Sequence, residues 1–170
     1  MRSFYIFFFC LTASFSCLSQ SKNKQLSLQL NQADSIQIIS HVALSKYIEH
    51  MSGEIVYGQY ELLLKGKPNS DLIKEQITLD TKARNELTRF LSNSKKITGG
   101  IDIKCFEPRH AILIFKNSTC HFIDICFECK TFSVSKNLTV VPDFLMSEND
   151  WEWLEIFFRT QGIQYLLPQE

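Results

Sequence analysis

The stretch from Cys105 to Cys129, "CFEPRHAILIFKNSTCHFIDICFEC", constrains this chain more than any other, because its alternation fixes a hairpin and its hairpin decides which side chains meet. Two runs rich in strand-forming residues, "AILIF" and "HFIDIC", flank the turn residues "KNST". With Phe115 opposite Cys120, antiparallel pairing places Leu113 opposite Phe122, Ala111 opposite Asp124 and, continued outward, Arg109 opposite Cys126. Pro108 has no N–H to give to a ladder and marks a bulge there, so a one-residue slip brings His110 across from Cys126 instead. Both registers stay open.

In either register the "CFEPRH" and "CFEC" arms converge at the open end of the hairpin. Cys120 lies six residues before Cys126 on the same strand, roughly 20 Å away, and belongs to the turn end. The remaining candidates are Cys105, His110, Cys126 and Cys129. Their pattern, C-x4-H followed by C-x-x-C, suits tetrahedral zinc with three thiolates and one imidazole. A disulfide within the cluster is the competing structural reading, and a reactive thiol is the third. A thioredoxin-like C-x-x-C needs a helix behind it to lower a thiol pKa, whereas "KTFSVS" after Cys129 reads as strand. A Cys–His nucleophile from Cys126 and His110 lacks any identifiable oxyanion loop. Arg109 beside the cluster serves an anion or, more commonly, a salt bridge to Glu107 or Glu128. His41, His50 and His121 read as structural or exposed, and the sequon matches at Asn117 and Asn137 read as chance.

Around the hairpin the chain alternates between strand and helix signals. Leu28 to Leu30 and Ile36 to Ile39 alternate as strands, and Ile55 to Leu64 reads as a strand interrupted at Gly58. "LDTKARNELTRFLSNSKK" predicts a helix capped by Asp80, with Ala83, Leu87, Phe90 and Leu91 inward, and "TGG" at Thr98 to Gly100 ends it or its trailing loop. "TFSVS" adds a strand, and Pro142 demotes "LTVVP" to a strand end or loop. A closing helix starts at Ser147, carries Glu148 and Asp150 at its positive end, and stops at Gly162. Its apolar residues, Trp151, Trp153, Leu154, Ile156, Phe157 and Phe158, fit burial against a sheet better than a cofactor box. These elements predict one α+β domain over 20–170, a mainly antiparallel sheet with helices packed on one face.

The first residues, "MRSFYIFFFCLTASFSCLSQ", combine Arg2, an apolar block from Phe4 to Leu11 and a small polar end. That pattern predicts a secretory signal peptide over 1–19, cut after Ser19, which removes Cys10 and Cys17 and sends the mature protein to the periplasm or beyond. The block falls short of the ~20 apolar residues of a membrane span. Lipid attachment at Cys17 is the alternative, against which Ser14 occupies the place of the usual lipobox Leu. Lys plus Arg equals Asp plus Glu at 18 each, with no basic run, which argues against nucleic acid or an anionic membrane surface as partner.

"CFEPRH", an apolar strand, a turn, "IDICFEC" and an aromatic helix ending "GIQY" together resemble a group of uncharacterised exported bacterial proteins, many from Bacteroidetes, over roughly residues 77–167. The resemblance implies an exported small protein or lipoprotein. It places weight on Cys105, Pro108, Arg109, His110, Cys126 and Cys129 and leaves Cys120 out. It supplies no reaction.

Overall fold

A computed structural model describes residues 22–49, 55–93, 106–136, 138 and 146–168, and among these the side chains of all but 22–25, 45–49 and 55–59. Cys105, the "TGG" segment, Pro142 and the leader lie outside the described residues.

The centre is a five-stranded antiparallel sheet built from β1 (Ser35–His41), β6 (Ile73–Thr78), β7 (His110–Lys116), β8 (Thr119–Cys126) and β9 (Thr131–Val134), in the order β6-β1-β7-β8-β9. Two short hairpins, β2 (Ser45–Glu49) with β3 (Ile55–Gln59) and β4 (Leu63–Leu64) with β5 (Lys67–Pro68), lie in the connection between β1 and β6. Three helices, α1 (Lys22–Asn31), α2 (Thr81–Asn93) and α3 (Glu148–Gln161), complete the α+β architecture. No helix among the described residues is long and apolar enough to cross a membrane.

Period-two alternation sorts the sheet's side chains onto two faces. Ile36, Ile38, Ile112, Ile114, Ile123 and Ile125 join α1, α2 and α3 in the larger core, centred on the fully buried Phe158. Ile39, Ala111, Leu113 and Cys120 turn the other way and meet Leu62, with Leu44, Leu63 and Ile73 packed around them. The helices thus share one face, as the hydrophobic pattern requires.

The pairing of β7 with β8 places Phe115 opposite Cys120, Leu113 opposite Phe122, Ala111 opposite Asp124 and His110 opposite Ile125, which excludes the slipped register. The loop is tighter than "KNST": Lys116 pairs with Thr119, and only Asn117 and Ser118 turn, both at positive φ (50° and 63°). That is the left-handed conformation a two-residue hairpin of this twist demands. The ladder begins at His110, so Pro108 precedes the strand and makes no bulge in it; the bulge is elsewhere, between Ser40 and His41 against β6.

The helix ends follow their chemistry. The Asp80 carboxylate accepts the Ala83 N–H at 2.8 Å at the start of α2. Ser147 and Asp150 form a reciprocal capping box on α3, and Gly162 (φ 108°) closes it with its N–H on the Arg159 carbonyl. Phe90 is only half-buried, stacked on Trp153 with ring centroids 3.9 Å apart, while Thr88 takes a buried place on α2 beside Ala83, Leu87 and Leu91.

Two further expectations are corrected. Leu28 to Leu30 lies in a helix: Leu26 and Leu30, one helical turn apart, are fully buried while Leu28 is half exposed. The Arg84 guanidinium reaches across from α2 to donate to the Leu30 and Asn31 carbonyls at 2.7 and 2.8 Å, satisfying groups at the α1 C-terminus. The strand expected from Ile55 to Leu64 runs through Gly58 without a break and divides after Gln59 into β3 and β4.

Candidate functional site

At the open end of the hairpin, alternation separates the candidate ligands. His110 shares its face with Ile112 and Ile114; its ring lies edge-on to Phe127 (5.0 Å between centroids) and Phe158 (5.9 Å) inside the helix-side core. His110 Nε2 is 2.9 Å from the Tyr165 carbonyl oxygen, which only accepts, so the nitrogen is the N–H and donates. Burial pushes the His110 pKa down to about 4, against the smaller opposing effect of that hydrogen bond, so the ring is neutral at ordinary pH. Cys126 follows Ile125 by one residue and faces the opposite side of the sheet with Asp124 and Cys120. His110 and Cys126 are thus neighbours in the ladder whose side chains diverge.

Cys126 and Cys129 do meet. Cys126 closes β8 opposite Thr131, and the turn Phe127–Lys130 folds Cys129 back so that its backbone N–H donates to Cys126 Sγ at 3.2 Å. Lys130 makes this possible with φ 49°, and its side chain pairs with Glu148 in the first turn of α3. Burial raises the Cys126 pKa to about 11, helped by a hydrogen bond with the Cys129 side chain. Backbone groups of Glu107 and Cys129 pull it the other way. A thiolate only accepts, so each of these is an N–H directed at the sulfur, one from each arm of the hairpin. At neutral pH Cys126 is a protonated, nearly buried thiol and a weak nucleophile.

Arg109 is committed to Glu107 at 3.1 Å, and its own N–H donates to the Ile125 carbonyl at 3.2 Å. Pro108 is buried. Cys120 is buried at the turn end, its thiol pushed up to about 11 by burial. Among the described residues no three His, Cys, Asp or Glu side chains are grouped to hold a metal ion, and no disulfide joins the cysteines.

Two polar networks that the sequence reading missed flank this end of the sheet. Adjacent residues of β1 enter opposite faces. On the helix side, Ser40 Oγ donates to Glu75 at 2.6 Å. Glu75 also accepts the Gln164 and Tyr165 N–H groups at 3.1 and 2.9 Å, holding the segment whose carbonyl receives His110. Burial raises the Glu75 pKa, but these hydrogen bonds outweigh it and hold the carboxyl below its usual value. On the other side, His41 Nε2 meets Asp124 Oδ1 at 3.0 Å, and both side chains are almost fully buried. His41 Nδ1 lies 2.7 Å from the Val42 carbonyl and must donate to it, so the proton between Nε2 and Asp124 holds the pair together. Burial raises the Asp124 pKa, although the hydrogen bond and charge of His41 act against it. The one available signal was an acidic residue at a buried-face position of β8 opposite the small Ala111, which demands a partner without naming it.

Two openings lie here. A pocket of about 130 Å³ is lined by Arg109, His110, Cys126 and Leu166 among others, and a cleft of about 600 Å³ opens over Asp124. No family model, curated protein or solved structure matches the chain.

Proposed function

We propose that this is an exported protein in which the Cys126–Cys129 turn is a structural clip, closing as a disulfide in an oxidising compartment. The observation that carries the reading is the Cys129 N–H on Cys126 Sγ at 3.2 Å, which folds the second cysteine back toward the first across a four-residue turn anchored by the Cys126–Thr131 pair. Export is supported by Arg2 and the apolar block from Phe4 to Leu11 in the sequence, and an exported setting favours oxidised cysteines. A raised thiol pKa and a turn that leads into β9 instead of a helix both disfavour thiol–disulfide catalysis or a Cys126 nucleophile.

Zinc is the second reading. It is favoured by the two backbone N–H groups directed at Cys126 Sγ, which suit a thiolate ligand, and it takes Cys126, Cys129 and Cys105, the residue just before the described "FEPRH" arm. The proposed ligand set omits His110, whose Nε2 is held by Tyr165 and whose ring sits among the core aromatics. Native mass spectrometry with a free-thiol count, on protein recovered without reductant or chelator, separates the two. A mass short by two hydrogens with Cys126 and Cys129 protected establishes the disulfide. A mass excess matching zinc, lost on chelation, establishes the metal site. Unprotected thiols with no metal would remove the clip altogether.

A further inference from the structure

The two cysteines at the end of β8 meet solvent unequally. Cys126 is 3% exposed and stands in the chain between the buried Ile125 and Phe127. Cys129 is partly exposed and stands between Glu128 and Lys130, both exposed. The turn that joins them is held at each end. Phe127 sits in the helix-side core, edge-on to His110, Trp151 and Phe158, so Cys126 cannot swing outward without drawing that ring from the core. At the other end Lys130 pairs with Glu148 on α3. The opening that reaches Cys126, about 130 Å³, is well below the ~300 Å³ at which small-molecule sites begin, and is too small for a disulfide carried on a peptide.

Resting on the disulfide clip proposed above, we infer that the clip is closed and opened by exchange with a peptide-borne disulfide or thiol through Cys129, with Cys126 as the resolving sulfur. Exchange rates depend on which sulfur an incoming partner can reach, and here that sulfur is Cys129. In the first step Cys129 gives its proton to water and attacks one sulfur of the partner disulfide; the Cys129–partner bond forms, the partner S–S bond breaks, and one partner thiolate leaves. In the second Cys126 gives up its proton and attacks Cys129 Sγ; the Cys126–Cys129 bond forms, the mixed disulfide breaks, and the second partner thiolate leaves. Two cysteines lose two electrons and the partner disulfide gains them. The Cys129 N–H on Cys126 Sγ folds Cys129 back for this second step. Opening runs in reverse: a partner thiolate attacks Cys129 Sγ and Cys126 leaves.

The test treats the reduced full chain with glutathione disulfide, quenches with acid at intervals and sites each adduct by peptide fragmentation. In the wild type a Cys126–Cys129 bridge forms. In Cys126→Ser a glutathione adduct accumulates on Cys129, with no second sulfur to resolve it. In Cys129→Ser the adduct on Cys126 forms at least about tenfold more slowly, because a buried sulfur waits for local opening. Iodoacetamide on the reduced wild type gives the same order without any substitution: Cys129 is alkylated about tenfold faster than Cys126 in native buffer, and the gap closes in urea, where the fold no longer shields either. A wild type that forms the bridge while Cys126 reacts as fast as Cys129, or faster, overturns the inference and leaves the clip standing. A wild type in which no Cys126–Cys129 bridge forms overturns the clip itself, and the inference with it.

Discussion

Acidification tests the burial of His110 directly. In the unfolded chain this imidazole takes up a proton near its ordinary value of 6.5, whereas the native protein resists until about 4, because burial among Phe127 and Phe158 disfavours the charge. Above 6.5 neither state holds the extra proton and His110 makes stability independent of pH. Between 6.5 and 4 the unfolded chain binds a proton that the native chain refuses, so stability falls as pH falls. Below 4 the loss is complete. At 1.36 kcal/mol per pH decade, the interval from 6.5 to about 4 amounts to roughly 3 kcal/mol. A domain with 5–15 kcal/mol of stability stays folded through most of that range, so equilibrium urea unfolding followed by tryptophan fluorescence is practicable. Other groups titrate in the same interval. Asp124, held protonated to higher pH than in the unfolded chain, contributes in the opposite direction, while Glu75, held ionised, loses its contribution as pH falls. The comparison is therefore between the wild type and His110→Gln, which keeps an N–H donor for the Tyr165 carbonyl but has nothing to titrate. Between pH 7 and 4 the wild type loses roughly 3 kcal/mol more than the variant. Parallel decline of the two proteins would refute the assignment of His110 as a buried neutral residue.

Further outcomes follow from the polar pair and the helix ends. Asp124→Leu alone strands His41 Nε2 in an apolar interior and costs about 3–5 kcal/mol in urea unfolding, while the double variant His41→Leu/Asp124→Leu recovers most of that loss; additive costs would show that the pair does not act as a unit. In Gly162→Ala the new Cβ makes only an ordinary van der Waals contact, 3.9 Å from Ile77 Cδ1, yet φ 108° penalises any side chain, so a loss of about 1 kcal/mol in thermal unfolding is expected without structural change. A neutral Gly162→Ala would mean that the α3 terminus relaxes freely.

The hairpin and α3 were legible because their signals are local. Alternation from Ala111 to Phe115 and from His121 to Cys126 fixes the faces, and Ser147, Asp150 and Gly162 announce their own helix ends within a turn of chain. The α1 segment was misread because Leu26, Leu28 and Leu30 alternate as well as any strand; what decides it is docking on α2 and the reach of Arg84, more than fifty residues away in the chain. β6 was missed because "IKEQIT" is an edge strand whose side chains are half-buried at best, leaving no apolar run to read. At the site, the short spacing is enough to put Cys126 and Cys129 in one turn and Cys120 at the far end of its strand, but it could not see that His110 points into the other face. The His41–Asp124 pair joins residues 83 apart and has no sequence signature beyond one carboxylate in an apolar strand.

Where the register against β6 shifts past the unpaired Lys74, the end of β1 has a further role that follows from ordinary alternation. Two consecutive residues become rivets driven in opposite directions: Ser40 secures the edge strand and, through Glu75, the tail after α3, while His41 secures the far side through Asp124. Peeling away the helical layer drags on the first, and lifting the opposite covering exposes the second. The end of β1 thus couples both layers into one cooperative unit, and its amide hydrogens should be among the last to exchange with solvent, released by global unfolding and not by local opening.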